Sequence, residues 1–192
     1  MELIQQDPEL SAYLAADEVI NHDHPVVREI AAALRARHPD VYAYAQAAYE
    51  FVRDEIPHSS DTGDPRVTWR ASDVLEQRTG ICHAKAHALA ALLRAESIPA
   101  ALGYQKFEVL HGLVAVRLPG AATWHRQDPR GGEPGREAAF SLGEERLAFL
   151  PDPEFNEMDY AVLYAVPHAG VVSAMRTARD SSELLRILPA DL

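Results

Sequence analysis

The stretch Thr79-Gly80-Ile81-Cys82-His83-Ala84-Lys85-Ala86-His87-Ala88-Leu89-Ala90-Ala91-Leu92-Leu93-Arg94-Ala95, closed by Ile98-Pro99, decides the fold. Thr79-Gly80 breaks one helix and starts another, predicted from about Ile81 to Glu96. Cys82, Ala86, Leu89, Ala90 and Leu93 fall on one stripe of it, and its alanines make it slim, so neighbouring backbone can approach closely. Upstream the apolar spacing is helical; downstream of Pro99 it alternates. Helices followed by strands, without βαβ alternation, predict an α+β fold.

Working outward, proline and its partners punctuate the first half. Asp7-Pro8 opens a short helix and His24-Pro25 a second, which Pro39 stops. Asp40 caps a third, carrying Val41, Tyr44, Ala45, Ala48, Phe51 and Val52. Residues 57–68, PHSSDTGDPRVT, read as an exposed loop, and Ser72 caps a short helix over Asp73 to Arg78. Downstream, Ala100 to Phe107 and Leu110 to Leu118 read as strands, with Pro119-Gly120 a turn into a third at Thr123 to Gln127. Residues 128–135 read as a loop. Two weaker strands are expected around Ala139 to Leu142 and Tyr160 to Val166, and a last helix over Glu183 to Leu188, capped by Ser181 or Ser182. Neither repeats nor a linker interrupt the 192 residues, so one domain is expected, 1–192.

Composition narrows the partners. Hydrophobic residues are 47% and charged residues 24%, which excludes a disordered chain. Against 18 Lys and Arg stand 29 Asp and Glu, for a net charge of −11. That repels phosphates and anionic lipid, so neither nucleic acid nor membrane is expected as a partner. No segment approaches the ~18 consecutive apolar residues of a membrane span. MELIQQDPELSAYLA lacks a basic n-region and an unbroken apolar run, so the cytoplasm is the expected compartment. A single cysteine cannot close an internal disulfide.

That cysteine has two readings. As a lone thiol it is a small buried hydrophobe. In the first turn of a helix, however, unpaired N–H groups and the helix dipole favour the thiolate. A thiolate nucleophile needs a proton acceptor and a group to orient it. His111 begins a good strand and Asp128 ends the next. If those strands pair across Pro119-Gly120, the two become cross-strand neighbours, and a slim helix bearing Cys82 can pack on them.

The residues also carry a resemblance. The run from Thr79-Gly80-Ile81-Cys82 through Leu92-Leu93-Arg94-Ala95 to Ile98-Pro99-Ala100 resembles the nucleophile signature of the transglutaminase-like superfamily. His111-Gly112-Leu113-Val114-Ala115-Val116 is similar to its histidine strand, and Trp124-His125-Arg126-Gln127-Asp128-Pro129 to its closing motif. The resemblance covers about 40–130 and implies a papain-like, transglutaminase-like core: the cysteine helix packed on an antiparallel sheet. It implies Cys82 as nucleophile, His111 as general base and acid, and Asp128 as the orienting carboxylate. The implied reaction is acyl transfer at an amide of a peptide, protein or small molecule, without metal or other cofactor. The oxyanion is expected on backbone N–H groups at the helix start, including that of Cys82. Gln77 and Trp69 are side-chain candidates beside them, with His83 in the site wall.

Two departures bear on the reaction. Arg130-Gly131 follows Asp128-Pro129 where the family usually has Thr, and the Asp-rich calcium loop and flanking β-domains of cross-linking transglutaminases are missing. Hydrolysis by a cysteine peptidase or amidase is therefore expected. Glutamine acyl transfer to an amine and a non-catalytic interaction module are the alternatives. Among the other histidines, His83 and His87 have zinc-compatible spacing but lack the Glu of HExxH, so a partly exposed helix face is the preferred reading. His22 and His24 fit a helix-entry loop. His58 fits either a cleft wall or an exposed loop, and Tyr42, Tyr44, Tyr49 and Phe51 fit helix packing.

Overall fold

A computed structural model describes residues 1–132 and 138–192. The glycine-broken helix is its axis. Helices α1 (Pro25–Arg37), α2 (Val41–Glu55), the short turn α3 (Ser59–Thr62) and α4 (Ala71–Gln77) precede α5 (Cys82–Ala95). Helices α1, α2 and α4 pack on one side of α5, and strands β2 (Ala100–Lys106) and β3 (Leu110–Val116) on the other. Every residue from His83 to Arg94 is buried. The stripe read in the sequence is thus only part of the buried surface, because the alanines let backbone close in all round.

Burial on every side requires the polar residues of α5 to find partners inside. They find backbone carbonyls. His83 Nε2–H donates to Leu110 O at 2.8 Å and His87 Nδ1–H to Trp69 O at 2.8 Å. Lys85 Nζ donates to Arg53 O at 3.1 Å and Arg130 O at 3.4 Å. The Arg94 guanidinium donates to the carbonyls of Ala15, Ala100 and Ala165. The partly exposed face expected for His83 and His87 is therefore corrected: both are buried, and burial pushes His87 down to about 3.

The main sheet is antiparallel in the order β4-β3-β2-β5, with β4 at His125–Gln127 and β5 at Met158–Asp159. Gly112 lets β3 meet the helix, since a Cβ there would stand 2.3 Å from His83 Nδ1. Gly80 does the same below the cysteine, where a Cβ would stand 2.7 Å from Ala84 Cβ. The N-terminal β1 (Ile4–Gln5) pairs in parallel with β6 (Val162–Leu163), and Tyr13, Ala101, Ala115, Leu163 and Ala165 form a second, smaller core.

Several local expectations shift. Asp40 caps α2 as read, accepting from Ala43 N–H at 2.9 Å. Ser72, by contrast, lies inside α4, and its N–H and hydroxyl pair with the Asn21 side chain. Helix α7 (Ser181–Ile187) is capped by Asp180, which accepts from Glu183 N–H at 2.8 Å, rather than by a serine. Helix α6 (Ala169–Thr177) had no clear pattern signal. No strand forms at 139–142, because the Gln127 side chain takes both the N–H and the carbonyl of Ser141. The supposed loop at 57–68 contains α3, closed by Gly63 at φ +68°, and its His58 bridges to Gly80. The loop read over 128–135 runs into residues 133–137, which lie outside the described residues. Among the described residues no helix is long and apolar enough to cross a membrane.

Candidate active site

Cys82 is the first residue of α5, after an extended Ile81, and is partly exposed. At that end of the helix the dipole favours the thiolate over the thiol. Strand β3 pairs Val114 with Gln127 and Ala115 with Arg126. One further step of that register sets Asp128 opposite Leu113, so His111 and Asp128 are diagonal rather than direct neighbours on the same face. Their side chains nevertheless meet: His111 Nε2 lies 2.8 Å from Asp128 Oδ2, both side chains being buried.

Asp128 is held from all sides. It accepts from Arg130 N–H at 3.1 Å and Ala148 N–H at 3.2 Å as well as from His111, and its own carbonyl accepts from Tyr49 OH at 3.0 Å. Tyr49 belongs to the aromatic stripe read as helix packing; it packs and also anchors the carboxylate's backbone.

The electrostatics follow from this arrangement. Burial would raise the Asp128 carboxyl, but the His111 charge and three hydrogen bonds hold it below its ordinary value. Burial would lower His111, but the charges of Asp128 and Cys82, with hydrogen bonds to both, raise it. Burial would likewise raise the Cys82 thiol. The imidazoles of His83 and His111, and a hydrogen bond from His111, hold it well below its ordinary value instead. Burial keeps His83 itself neutral, so His111 is the lasting cationic partner. With Nε2 committed to Asp128, the His111 nitrogen that serves Cys82 is Nδ1.

Above the thiol is a cleft of about 410 Å³. His58, Ser60, Cys82, His111 and Arg130 are its polar residues, and Phe107, Val109, Phe149, Leu185 and Leu188 are on its apolar wall. Phe149 sets its ring edge-on to His111, centroids 5.0 Å apart. Arg130 lies over Phe149 and pairs through both terminal nitrogens with Asp61, at 3.0 and 3.1 Å.

The structure thus brings Cys82, His111 and Asp128 together, and it separates the three supporting candidates from the cleft. Gln77 is exposed at the end of α4. The Trp69 ring lies between the guanidinium groups of Arg70 and Arg176, and only its carbonyl reaches α5, at His87. His83 is buried beneath the site rather than in its wall. His58 takes the place that Gln77 and Trp69 were expected to fill: it lines the cleft, and its Nε2 accepts the Cys82 N–H at 3.0 Å. The backbone donor expected to serve an oxyanion is therefore engaged at rest. The signal for His58 was weak, a histidine in a polar loop, and only the bridge to Gly80 brings it in. Among the described residues no cluster of His, Cys, Asp and Glu is arranged to hold a metal ion.

Comparison with solved structures finds similar ones. A candidate cysteine protease from Cytophaga hutchinsonii superposes with a TM-score of 0.54 at 23% identity, over 64% of this chain and 42% of its own. The periplasmic domain of TgpA from Pseudomonas aeruginosa gives a TM-score of 0.49 at 28% identity, over 64% of this chain and 47% of its own. The chain spans less than half the length of either structure. A comparison with curated protein sequences found no match. The profile of the Transglutaminase-like superfamily matches residues 28–129, more than half the chain. That span holds the cysteine helix, the histidine strand and the aspartate, and the chain belongs to the transglutaminase-like superfamily.

Proposed function

We propose that this protein is a thiol-dependent amide hydrolase in which Cys82, His111 and Asp128 act as a triad. The observation that carries the reading is the shared ring of His111, bonded through Nε2 to a buried carboxylate and through its other nitrogen to a depressed thiol. The Cys82 thiolate attacks the amide carbonyl carbon, and the C=O pair moves to oxygen. As the tetrahedral intermediate collapses, His111 gives its Nδ1 proton to the departing amine, leaving a thioester on Cys82. Water then gives a proton to His111 and attacks the thioester. The acid leaves, and the ion pair is restored.

The apolar wall of the cleft favours an acyl group with a bulky apolar side chain. Shortening Leu185, exposed on α7 at the rim, to alanine should reduce the preference for such acyl groups by about tenfold, the low end of the ~1–3 kcal/mol of a pocket methylene, because the side chain is exposed.

The test is labelling by iodoacetamide at pH 6, followed by profiling with amide and peptide libraries against Cys82→Ala. Rapid labelling of Cys82, and turnover absent in Cys82→Ala, support the reading. Labelling no faster than an ordinary thiol, or turnover that survives Cys82→Ala, defeats it. A labelled cysteine whose thioester is released only by added amine would make the reaction transfer rather than hydrolysis.

A further inference from the structure

We infer that His58 is the side-chain oxyanion donor of this site and that at rest its Nε2 stands where the substrate's carbonyl oxygen will sit. The inference rests on the acyl-transfer reading above. An oxyanion lies about 2.7–3.1 Å from the donors that stabilise it. The Cys82 N–H already holds an acceptor within that range, the 3.0 Å lone pair of His58 Nε2. An incoming carbonyl oxygen must displace that lone pair to reach the same N–H.

The surroundings of His58 prepare it for that exchange. Its backbone bridges to Gly80, with Ser59 N–H donating to Gly80 O at 3.2 Å, so it is fixed two residues from the nucleophile. Its side chain is 9% exposed, and Nδ1 is buried without a hydrogen-bond partner, 3.8 Å from Asp61 Oδ1. With Nε2 accepting, the neutral ring carries its proton on Nδ1, toward that carboxylate. When the carbonyl oxygen takes the Cys82 N–H, the ring changes tautomer: Nδ1 releases its proton beside Asp61, water relays one to the freed Nε2, and that N–H donates to the same oxygen with no net gain of protons. The relay runs back when product leaves. Asp61, itself paired with Arg130, faces Nδ1, and the Cys82 N–H faces Nε2, so both ring nitrogens have a polar neighbour through the exchange.

The experiment compares two reactions of the same thiol in the full chain. Alkylation by iodoacetamide builds no oxyanion at this position; acylation by p-nitrophenyl hexanoate does. In His58→Ala, acylation should fall about 10²-fold, with alkylation within about threefold of the unaltered protein. His58→Gln, which keeps an N–H at similar reach, should recover at least about tenfold of the loss. Parallel loss of both reactions, unchanged acylation, or faster acylation would overturn the assignment while leaving the triad intact. Slow reaction of the unaltered thiol with both reagents would overturn the triad reading, and this one with it.

Discussion

Two imidazoles flank the one thiol, and behind each stands a carboxylate. On one side His111 meets Asp128 at 2.8 Å, with side chains 6% and 0% exposed. On the other His58 faces Asp61 at 3.8 Å, and the Asp61 side chain is 52% exposed. The first pair is dry, hydrogen-bonded and built into the sheet. Its charges sustain each other, and breaking it leaves an uncompensated buried charge. In the second the carboxylate is open to water, where such a pair is worth only about 0–1 kcal/mol. A group that must keep one orientation and charge needs the first environment. A group that must change partner and tautomer during turnover needs the second. The two sides of Cys82 differ in what their surroundings permit, although the residue types are the same.

The sharpest way to break this comparison is to remove the dry side. His111→Ala should lower turnover by about 10⁶-fold, as loss of the base in comparable triads does. It should also erase rapid labelling of Cys82 at pH 6, because the cation that holds the thiolate is gone. Retained labelling would mean that His58 or the helix dipole sustains the thiolate alone.

Asp128→Asn should cost less, about 10⁴-fold in turnover, since its part is to orient and charge the ring. It should also lower stability, because one amide nitrogen replaces an oxygen that accepts from backbone N–H groups; unsatisfied buried groups cost about 1–3 kcal/mol. The sign with pH is fixed. The Asp128 carboxyl is depressed in the folded chain, so its contribution is present above its unfolded value of roughly 3.9 and is lost as pH falls through the folded value. His111 is raised, so its contribution is full below roughly 6.5 and is lost as pH rises through its folded value. Denaturant melts across pH should show the advantage over Asp128→Asn shrinking below pH ~4.

Asp61→Asn probes the wet side, and its effect on acylation should be only about three- to tenfold. A drop as large as that of Asp128→Asn would show that the two sides are equivalent after all. Binding of Asp61 to Arg130 makes Arg130→Gln a useful companion: a smaller effect there assigns the loss to the imidazole rather than to the Arg130–Phe149 contact.

The difference between the sides also explains what could be read from the sequence. The dry side was legible because its parts are regular. A glycine break, an alanine-rich helix and two strands across Pro119-Gly120 fix where Cys82, His111 and Asp128 lie, and a two-residue period assigns the faces. Only the register, diagonal rather than direct, escaped that pattern, because a two-residue slip leaves every face unchanged. The wet side is set by a four-residue turn and one backbone bridge, which leave no periodic trace. Gln77 and Trp69 were close to Cys82 in the chain, but α4 ends in a left-handed Arg78 that carries Gln77 outward. The burial of His83, Lys85, His87 and Arg94 was illegible for another reason: their partners are backbone carbonyls, most of them distant in the chain, which no side-chain pattern announces.

Lys85 gives the smallest effect on turnover and a separate test of how dry the triad's foundation is. Its ammonium, 1% exposed, ties the carbonyl of Arg53, near the end of α2, to that of Arg130, just past Asp128. Burial, and then the Arg130 charge, push it down to about 8 despite Asp128, Asp61 and Asp54. Between pH 8 and about 10.4 the unfolded chain therefore binds the proton that the folded chain has released, and stability from this group rises with pH. Lys85→Met should lack that rise. The loss from His111 at alkaline pH is common to both proteins, so the difference between their urea melts from pH 7 to 10.5 isolates Lys85. The difference should slope by up to about 1.4 kcal/mol per pH unit, with turnover at pH 7 changed by less than about threefold. A flat difference would mean that water reaches the ammonium, and the base of the Asp128 loop would then be as wet as the His58 side.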